Sequence, residues 1–264
     1  MRHRFGLGIT IALAVVASSS FILQTVLSNG ASPSEITLGR AADYSIVSGG
    51  TIVLGATLLF TDSPTASGAN YPALLSGVQL GLLSAAGMAH VENGNPEASL
   101  VLADVATAFS FIQSLPGSDL PAAEMGGATY LPGVYDAPSS AALSIASPVV
   151  LDGGGNSHSI FVFRTAAAFN VAASLNISYI NGASPVNIYW VVAAGFALGA
   201  ATHIPGNILV GADATTGASS NIEGSLLSLG SISLGASSTF VHVTVPPVIV
   251  VPTPTPTPDR KSVV

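Results

Sequence analysis

Short runs of apolar and β-branched residues, separated by Gly, Asn, Ser and Pro, fill most of the chain over residues 128–245. Runs of this length between turn-forming residues are typical of β-strands. Residues 44–47 and 51–60 have the same character, and Gly49-Gly50 predicts a turn between them. The pattern therefore predicts an all-β fold that is built from many short strands.

One stretch, at about residues 96–115, departs from this pattern and predicts an α-helix. Asn95 is a favourable N-cap, Pro96 suits the first helical position, and Glu97 suits the positive end of the helix dipole. The apolar residues that follow recur on a single helical face: Val101, Val105, Ala108, Phe109, Ile112 and Leu115. Because an isolated helix of this length is marginal in water, we expect it to pack along the β-rich part.

A seven-residue pattern recurs at a constant spacing near the C-terminus, and its copies lie at 198–204, 216–222 and 234–240. A looser copy at 171–177 lies one and a half periods before the first of these copies. A turn-rich insert at 181–185 accounts for the extra length. The period of eighteen suits one coil of a three-sided β-solenoid, whereas a β-propeller blade needs more than about twice that length. The repeat thus predicts a triangular β-solenoid with one long α-helix packed along it.

Equivalent residues of stacked coils form ladders, because the coils are joined by main-chain hydrogen bonds about 4.7–4.9 Å apart. If the final Ile or Phe of each copy faces the core, alternation places Ala200, Ala218 and Ala236 inward as well. The residues that alternation places outward are Ser174, Asn176, Ala201, His203, Ser219, Asn221, Ser237 and Thr239. We also expect Thr216 to form the edge of this strip.

This outward strip predicts a flat surface that binds an ordered, uncharged partner. Regular hydroxyl and methyl groups can order surface water, whereas charged groups hold hydration shells of their own. The alternative is that these residues are ordinary exterior positions of a solenoid. Asn176-Ile177-Ser178 in the strip is also a possible N-glycosylation sequence.

The charge balance and the cysteine count exclude several classes of function. Six Lys and Arg against 13 Asp and Glu give a net charge of −7, which argues against nucleic-acid binding. The chain has no cysteine, so disulfides and thiolate metal sites are excluded. The five histidines are scattered, without the paired spacing of a metal site. We therefore expect neither a cofactor nor a metal.

The distribution of carboxylates argues against an enzyme. Residues 165–212 contain no Asp, Glu, Lys or Arg, and Glu223 is the only charged residue over 214–258. Asp136 and Asp152 are nearer to one coil apart, but no basic or aromatic sugar contacts accompany them. β-Solenoid glycosidases need carboxylates that converge from adjacent coils, so the sequence predicts no catalytic site.

Both ends of the chain predict export. Arg2 and Arg4, followed by an apolar run and small residues, indicate a signal peptide at 1–31, with an uncleaved membrane anchor as the alternative. A domain at 32–245 follows, and the Pro/Thr-rich tail at 246–264 is typical of a spacer to a cell wall, an extracellular matrix or a further domain. The apolar stretch at 188–204 is too short to span a membrane and predicts two buried strands with a corner between them. We expect a secreted, extracellular or cell-surface protein without a membrane span in the mature chain.

Several ordered motifs resemble those of the microbial ice-binding-like proteins, over roughly residues 36–243. The most specific is Asn-Gly-Ala-Ser-Pro-Val-Asn-Ile-Tyr-Trp-Val-Val at 181–192, and others stand at 38–44, 131–135, 160–163 and 206–209. The family's Gly-Asp-hydrophobic-Gly-Val-Ser-Pro stretch is absent from residues 50–80, and its Thr-rich binding pattern is approached only at 216–219.

The resemblance implies an irregular triangular β-solenoid with a helix alongside, and antifreeze activity with ice itself as the ligand. On this reading the outward strip would hold an ordered water layer that merges with an ice plane. The alternative from a different class is an adhesive or structural cell-surface module that has kept the fold without ice activity. The Pro/Thr tail favours that alternative.

Overall fold

The structure is a computed structural model that describes residues 25–26, 35–61, 66–70, 79, 82–83 and 86–243. It is a three-sided parallel β-solenoid with one α-helix along one side, as the sequence predicts. The Pro/Thr tail and most of the predicted signal peptide lie outside the described residues. Three short 3-10 helices, Gly39–Asp43, Pro138–Ser140 and Pro185–Asn187, accompany the strands.

The three sides of the solenoid differ in how their strands are joined, and we number the strands β1–β23 in chain order. The helix-covered face is a nine-stranded sheet of β6 (Met88–Asn93), β5 (Ala66–Asn70), β2 (Ile46–Ser48), β21 (Leu226–Ser228), β18 (Asn207–Val210), β15 (Ile188–Val192), β12 (Phe161–Thr165), β9 (Gly133–Asp136) and β7 (Ser118–Asp119). The six-stranded face is made of β10 (Leu143–Ile145), β13 (Phe169–Val171), β16 (Phe196–Leu198), β19 (Ala214–Thr216), β22 (Ile232–Leu234) and β3 (Ile52–Leu54).

The third side, the split face, consists of two four-stranded sheets. One contains β1 (Thr25–Val26), β8 (Thr129–Tyr130), β11 (Val150–Asp152) and β14 (Ser178–Ile180). The other contains β17 (His203–Pro205), β20 (Asn221–Glu223), β23 (Thr239–Val241) and β4 (Leu59–Thr61). A single bridge between Asn176 and His203 connects the two sheets.

The strand registers confirm the repeat read from the sequence. His203 pairs with Asn221 and Asn221 pairs with Thr239, so that each step along the split face advances by one period of the repeat. The step from Phe169 to Phe196 on the six-stranded face is half a period longer, as the insert at 181–185 requires. Each side therefore carries ladders of equivalent residues.

The order of the coils in the stack differs from their order in the chain. Strands β2, β3 and β4 come early in the sequence, yet they pair with β21, β22 and β23 of the last repeat. The chain then continues through β5 and β6, and the helix α1 (Pro96–Ser114) leads it to β7 and β9 at the opposite end. The first coil therefore closes the end that the last coil would otherwise expose.

Aromatic residues from successive coils stack inside the solenoid. The Trp190 ring lies 4.8 Å from Phe163 and 5.3 Å from Phe169, measured between ring centroids. The Trp190 indole Nε1 donates a hydrogen bond of 2.7 Å to the Pro205 carbonyl, so its polar atom is satisfied within the core. Offset stacking of this kind contributes about 0.5–1.5 kcal/mol per pair beyond the burial of area.

The helix begins and packs as its sequence predicts. The Asn95 side chain accepts a 2.9 Å hydrogen bond from the Ala98 amide, and Pro96 is the first helical residue. Val101, Val105 and Ile112 are buried against the nine-stranded sheet, together with Ala98 and Ala108. The second apolar core between helix and sheet is therefore built by the residues that the periodicity identifies.

A buried arginine joins the end of the helix to the sheet. Arg164 on β12 pairs through Nε and Nη2 with both carboxylate oxygens of Asp136. Its Nη1 donates to the carbonyls of Ile112 and Gln113, at 2.6 and 3.1 Å. Because the last turn of α1 has no basic residue, Arg164 supplies the positive charge that favours a helix C-terminus.

At the corners between strands, side chains do not alternate between inward and outward as the sequence predicts. Ala200 and Ala218 are exposed and Ala236 is half-buried, although the sequence places all three inward. The residues that follow them, Ala201, Ser219 and Ser237, have φ of 54–59° and turn the chain in the left-handed region. Side chains that fill the corner come one residue later, at Thr202, Ser220 and Ser238, which are buried.

Glycine is required just before each of these corners. A Cβ added to Gly199 or Gly217 would approach the backbone of the neighbouring coil to 2.4 Å, which real Cβ contacts essentially never show. The recurring Gly-Ala pair of the repeat therefore marks the corner itself, which is the reason that period-two alternation fails across it.

Two further expectations are changed by the coordinates. Residues 188–204 form β15, β16 and the start of β17, which are three strands and two corners, instead of two strands and one corner. Asp136 lies on the helix-covered face and Asp152 on the split face, so these two carboxylates do not converge.

We predict that Arg164→Met lowers the free energy of unfolding by about 1.5–3 kcal/mol, because the hydrogen bonds of the buried guanidinium to Asp136 and to the last carbonyls of the helix are lost. Denaturant titration followed by circular dichroism measures the change. Arg40→Met is the matched control, since Arg40 is 49% exposed in its ion pairs with Glu97 and Asp104. An exposed pair contributes at most about 1 kcal/mol, so equal losses in both variants would contradict the prediction.

Candidate functional site

Two sides of the solenoid are free of the helix, and each carries a ladder of outward side chains. On the split face one outward row consists of Asn176, His203, Asn221 and Thr239, in register and in the order that the repeat predicts. We call it the amide row, after its two asparagines. Asn176 is exposed and the other three are half-buried. The inward neighbours of this row are fully buried: Ile177, Ile204, Ile222 and Phe240.

The other sequence-predicted residues lie at the corner between the split face and the six-stranded face. Ser174, Ala201, Ser219 and Ser237 are all exposed there. Thr216 is the exception, because it is only 8% exposed and its hydroxyl accepts a hydrogen bond from the Gly235 amide. The expectation that Thr216 lies at the edge of an exposed strip is therefore wrong.

A hydrogen-bonded chain of polar side chains crosses the amide row. His203 Nδ1 lies 2.9 Å from Asn176 Oδ1, and His203 Nε2 lies 3.1 Å from Glu223 Oε2. The Tyr179 hydroxyl donates to Glu223 Oε1 at 2.8 Å. Sequence reasoning missed this cluster, although Glu223 follows His203 by one coil plus one outward position.

The six-stranded face presents a different chemistry. In five of the six strands the central residue points outward between two buried neighbours, as at Thr215 between Ala214 and Thr216. In β3 the exposed Val53 lies between buried Ile52 and half-buried Leu54. The registers align these central residues into one middle row: Ser144, Asn170, Ala197, Thr215, Ser233 and Val53. The middle row is continuous over six strands and contains no charged side chain.

Charged groups beside this face lie at its margins. Asp213 precedes β19 and accepts a 2.8 Å hydrogen bond from the Ser231 amide. Glu124 lies at the end next to β10, where it contacts the Ser144 hydroxyl and accepts from the Ala146 and Gly126 amides. Burial is the largest single influence on the pKa of Glu124 and raises it, but these hydrogen bonds together hold that pKa below its ordinary value.

Within the part of the chain that the structure describes, neither a metal centre of His, Asp and Glu ligands nor a membrane-spanning helix is found. Among those residues, no three or more His, Asp or Glu side chains converge as a metal site would require. No helix among them is sufficiently long and apolar to cross a membrane.

The protein is a parallel β-solenoid, and the two faces that the helix leaves open carry regular rows of outward side chains. The family model described as ice-binding-like matches residues 41–240, and the chain belongs to this family. The expected family and fold are therefore confirmed.

Named relatives agree with this assignment. An ice-binding protein of Nostoc sp. (strain HG1) is 32% identical over 205 residues, which cover 75% of this chain and 69% of the relative. Ice-binding protein K3-B1 of Typhula ishikariensis is 26% identical and covers 69% of this chain and 79% of its own length. The crystal structure of an ice-binding protein from Antarctomyces psychrotrophicus superposes with a TM-score of 0.68 at 25% identity, over 80% of this chain and 98% of that one.

The polar cluster on the split face predicts an alkaline titration. Burial, followed by the hydrogen bond to Glu223, raises the pKa of Tyr179 to about 12. Since the unfolded pKa is 10.0, Tyr179 stabilises the fold fully below pH 10 and loses this contribution as the pH rises towards 12. Phenolate absorbance, compared between the native protein and Tyr179→Phe, measures this titration.

In Glu223→Gln the carboxylate charge is removed, so we expect the Tyr179 phenol to ionise at lower pH. An unchanged Tyr179 titration in this variant would contradict the role assigned to the carboxylate.

Proposed function

We propose that this protein binds ice and that the six-stranded face is the surface that contacts it. The observation that carries the proposal is the middle row, an unbroken and uncharged ladder of small side chains on a face that the helix leaves open. Membership of the ice-binding-like family and the printed names of the relatives support the same function.

The proposed mechanism rests on the regularity of this face. Strand spacing of about 4.7–4.9 Å places each outward hydroxyl or methyl group at a fixed distance from its neighbours in the row. Such an array orders the adjoining water, and that water layer joins the growing ice plane. Growth is then restricted to curved fronts between adsorbed molecules. The protein acts by binding and needs no catalytic group.

The split face fits this role less well. Glu223 and His203 stand in the middle of it, and a carboxylate holds water in its own hydration shell. The face is also interrupted, because one bridge alone connects its two sheets. The strip chosen from the sequence, with Asn176, Asn221 and Thr239, remains the competing surface and is tested below.

The location of Asn176 matters for glycosylation. Asn176 is exposed on the split face and not on the six-stranded face. A glycan at this position would therefore project from a side that the proposed ice contact does not use. Secretion, which the predicted signal peptide supports, would be the route to such a modification.

We predict that Thr215→Tyr lowers thermal hysteresis and inhibition of ice recrystallisation by about tenfold, a factor equivalent to about 1.4 kcal/mol in binding. Thr215 is exposed at the centre of β19, so the larger ring would protrude from the middle row and separate it from ice. Nanolitre osmometry and a recrystallisation assay measure the effect.

Thr239→Tyr is the matched control, because Thr239 is also an outward threonine at a strand position, but on the split face. We expect this variant to keep native activity, and equal melting temperatures would show that both variants fold. Loss in Thr239→Tyr with retention in Thr215→Tyr would assign the contact to the strip chosen from the sequence.

A cell-surface adhesive or structural module is the second candidate, and the Pro/Thr tail at 246–264 favours it. Under this alternative the native protein would neither shape growing ice crystals nor enter the ice fraction in an ice-affinity partition.

A further inference from the structure

The six-stranded face is wider than its short strands, because the residues that flank each strand also reach the outer surface. A first row lies on the N-terminal side of the strands: Ala142, Ala168, Gly195, Asp213, Ser231 and Thr51. A third row lies on the C-terminal side: Ala146, Ala172, Gly199, Gly217, Gly235 and Gly55. All of these residues are exposed or half-buried, and we call these two rows and the middle row together the contact array.

Main-chain hydrogen bonds keep the two flanking rows in register with the middle row. On the first-row side the Phe196 amide donates to the Asp213 carbonyl at 3.0 Å. On the third-row side the Gly217 amide donates to the Leu198 carbonyl at 2.7 Å. Residues therefore repeat about every 4.7–4.9 Å along each row, and adjacent rows lie about 6.4–6.8 Å apart along the chain.

Asp213 is the only charged member of the contact array and lies one row away from the exposed Thr215. Oδ1 of its carboxylate accepts a 2.8 Å hydrogen bond from the Ser231 amide. Oδ2 has no hydrogen-bond donor among the residues that the structure describes, so this oxygen is left to solvent. An ionised carboxylate gives up its water only at a high cost in free energy. Asp213 therefore opposes the water order that the uncharged members of the array favour.

Glu124, at the margin of the same face, differs from Asp213 because both of its oxygens have donors. Its Oε1 accepts from the amides of Ala146 and Gly126, at 2.7 and 2.9 Å, and its Oε2 contacts the Ser144 hydroxyl. Protein groups thus take the place of much of its hydration shell. Asp213 is therefore the carboxylate of this face that depends most on solvent.

We propose that Asp213 limits the affinity of the six-stranded face for ice. This inference rests on the function proposed above. The same side chain has a structural task, since its Oδ1 satisfies the Ser231 amide at a corner. That corner is closely packed, because a Cβ added to Gly230 would approach Asp213 Oδ1 to 2.6 Å. Closure of the corner and affinity for ice therefore make opposite demands on one residue.

The test is Asp213→Asn in the full chain, which removes the charge and keeps an oxygen that can accept from the Ser231 amide. Thermal hysteresis and the fraction of protein that enters ice in an ice-affinity partition measure the effect. We expect each to rise about two- to threefold, a factor equivalent to about 0.4–0.7 kcal/mol in binding.

Asp152→Asn is the matched control, because Asp152 also accepts a hydrogen bond from a main-chain amide, that of Gly154, but lies on the split face. We expect this variant to keep native activity, although it changes the net charge by the same amount.

Ala168→Asp is the converse variant, since it adds a second carboxylate to the first row. We expect thermal hysteresis to fall about two- to threefold, for the same physical reason. Melting curves followed by circular dichroism establish that each variant is folded.

The outcomes separate this inference from the proposed function. If the native protein is active and Thr215→Tyr is not, but Asp213→Asn only equals the native protein, Asp213 does not limit the affinity. An equal rise in Asp152→Asn overturns the inference too, because the effect would then follow net charge instead of position. Absence of ice activity in both the native protein and Asp213→Asn overturns the proposed function itself.

Discussion

Parallel stacking of coils in register is the constraint on which the rest of the structure depends. Main-chain groups of each strand bond to the coil above or below, and a slip of one residue would turn the whole inward set towards solvent. The equal steps from His203 to Asn221 and from Asn221 to Thr239 show that the register is kept on the split face. The same steps recur on the six-stranded face and beneath the helix.

The registers also sort chemistry by side. Because each coil turns its corners at equivalent residues, equivalent positions of successive repeats always lie on the same face. Small uncharged residues therefore accumulate in the middle row, and the histidine, carboxylate and amide groups accumulate on the split face. The six-stranded face carries a regular row of side chains that bind water weakly. The split face carries polar side chains that are oriented by hydrogen bonds to one another.

Much of the fold is present in the sequence as periodicity. The helix is indicated by Asn95 and Pro96 and by the apolar positions that follow, and these residues make the contacts that the periodicity predicts. The repeat predicts both the coil length and the register of the ladders. Local rules suffice here because each coil meets an almost identical neighbour.

The corners and the site could not be derived in the same way. Alternation holds only while the backbone is extended, and the positive φ at Ala201 and Ser219 reverses the expected direction of their neighbours. Thr216 is buried because it follows the outward Thr215 along β19, although a pattern match suggested exposure. The middle row went unnoticed because Ala197 and Thr215 belong to no conspicuous motif. Its regularity appears only when the strands of successive coils are aligned.

Closure of the stack by the first coil has a consequence for how the chain is made. Strands β2, β3 and β4 leave the ribosome early, but their partners in the last repeat are synthesised about 180 residues later. The domain cannot complete its hydrogen bonding until the last repeat has been synthesised, and such long sequence separations slow folding. The same arrangement sets the two ends of the solenoid sequence in adjacent coils. A circular permutant that joins them and opens at a distant loop would let the stack grow in one direction from its first coil to its last.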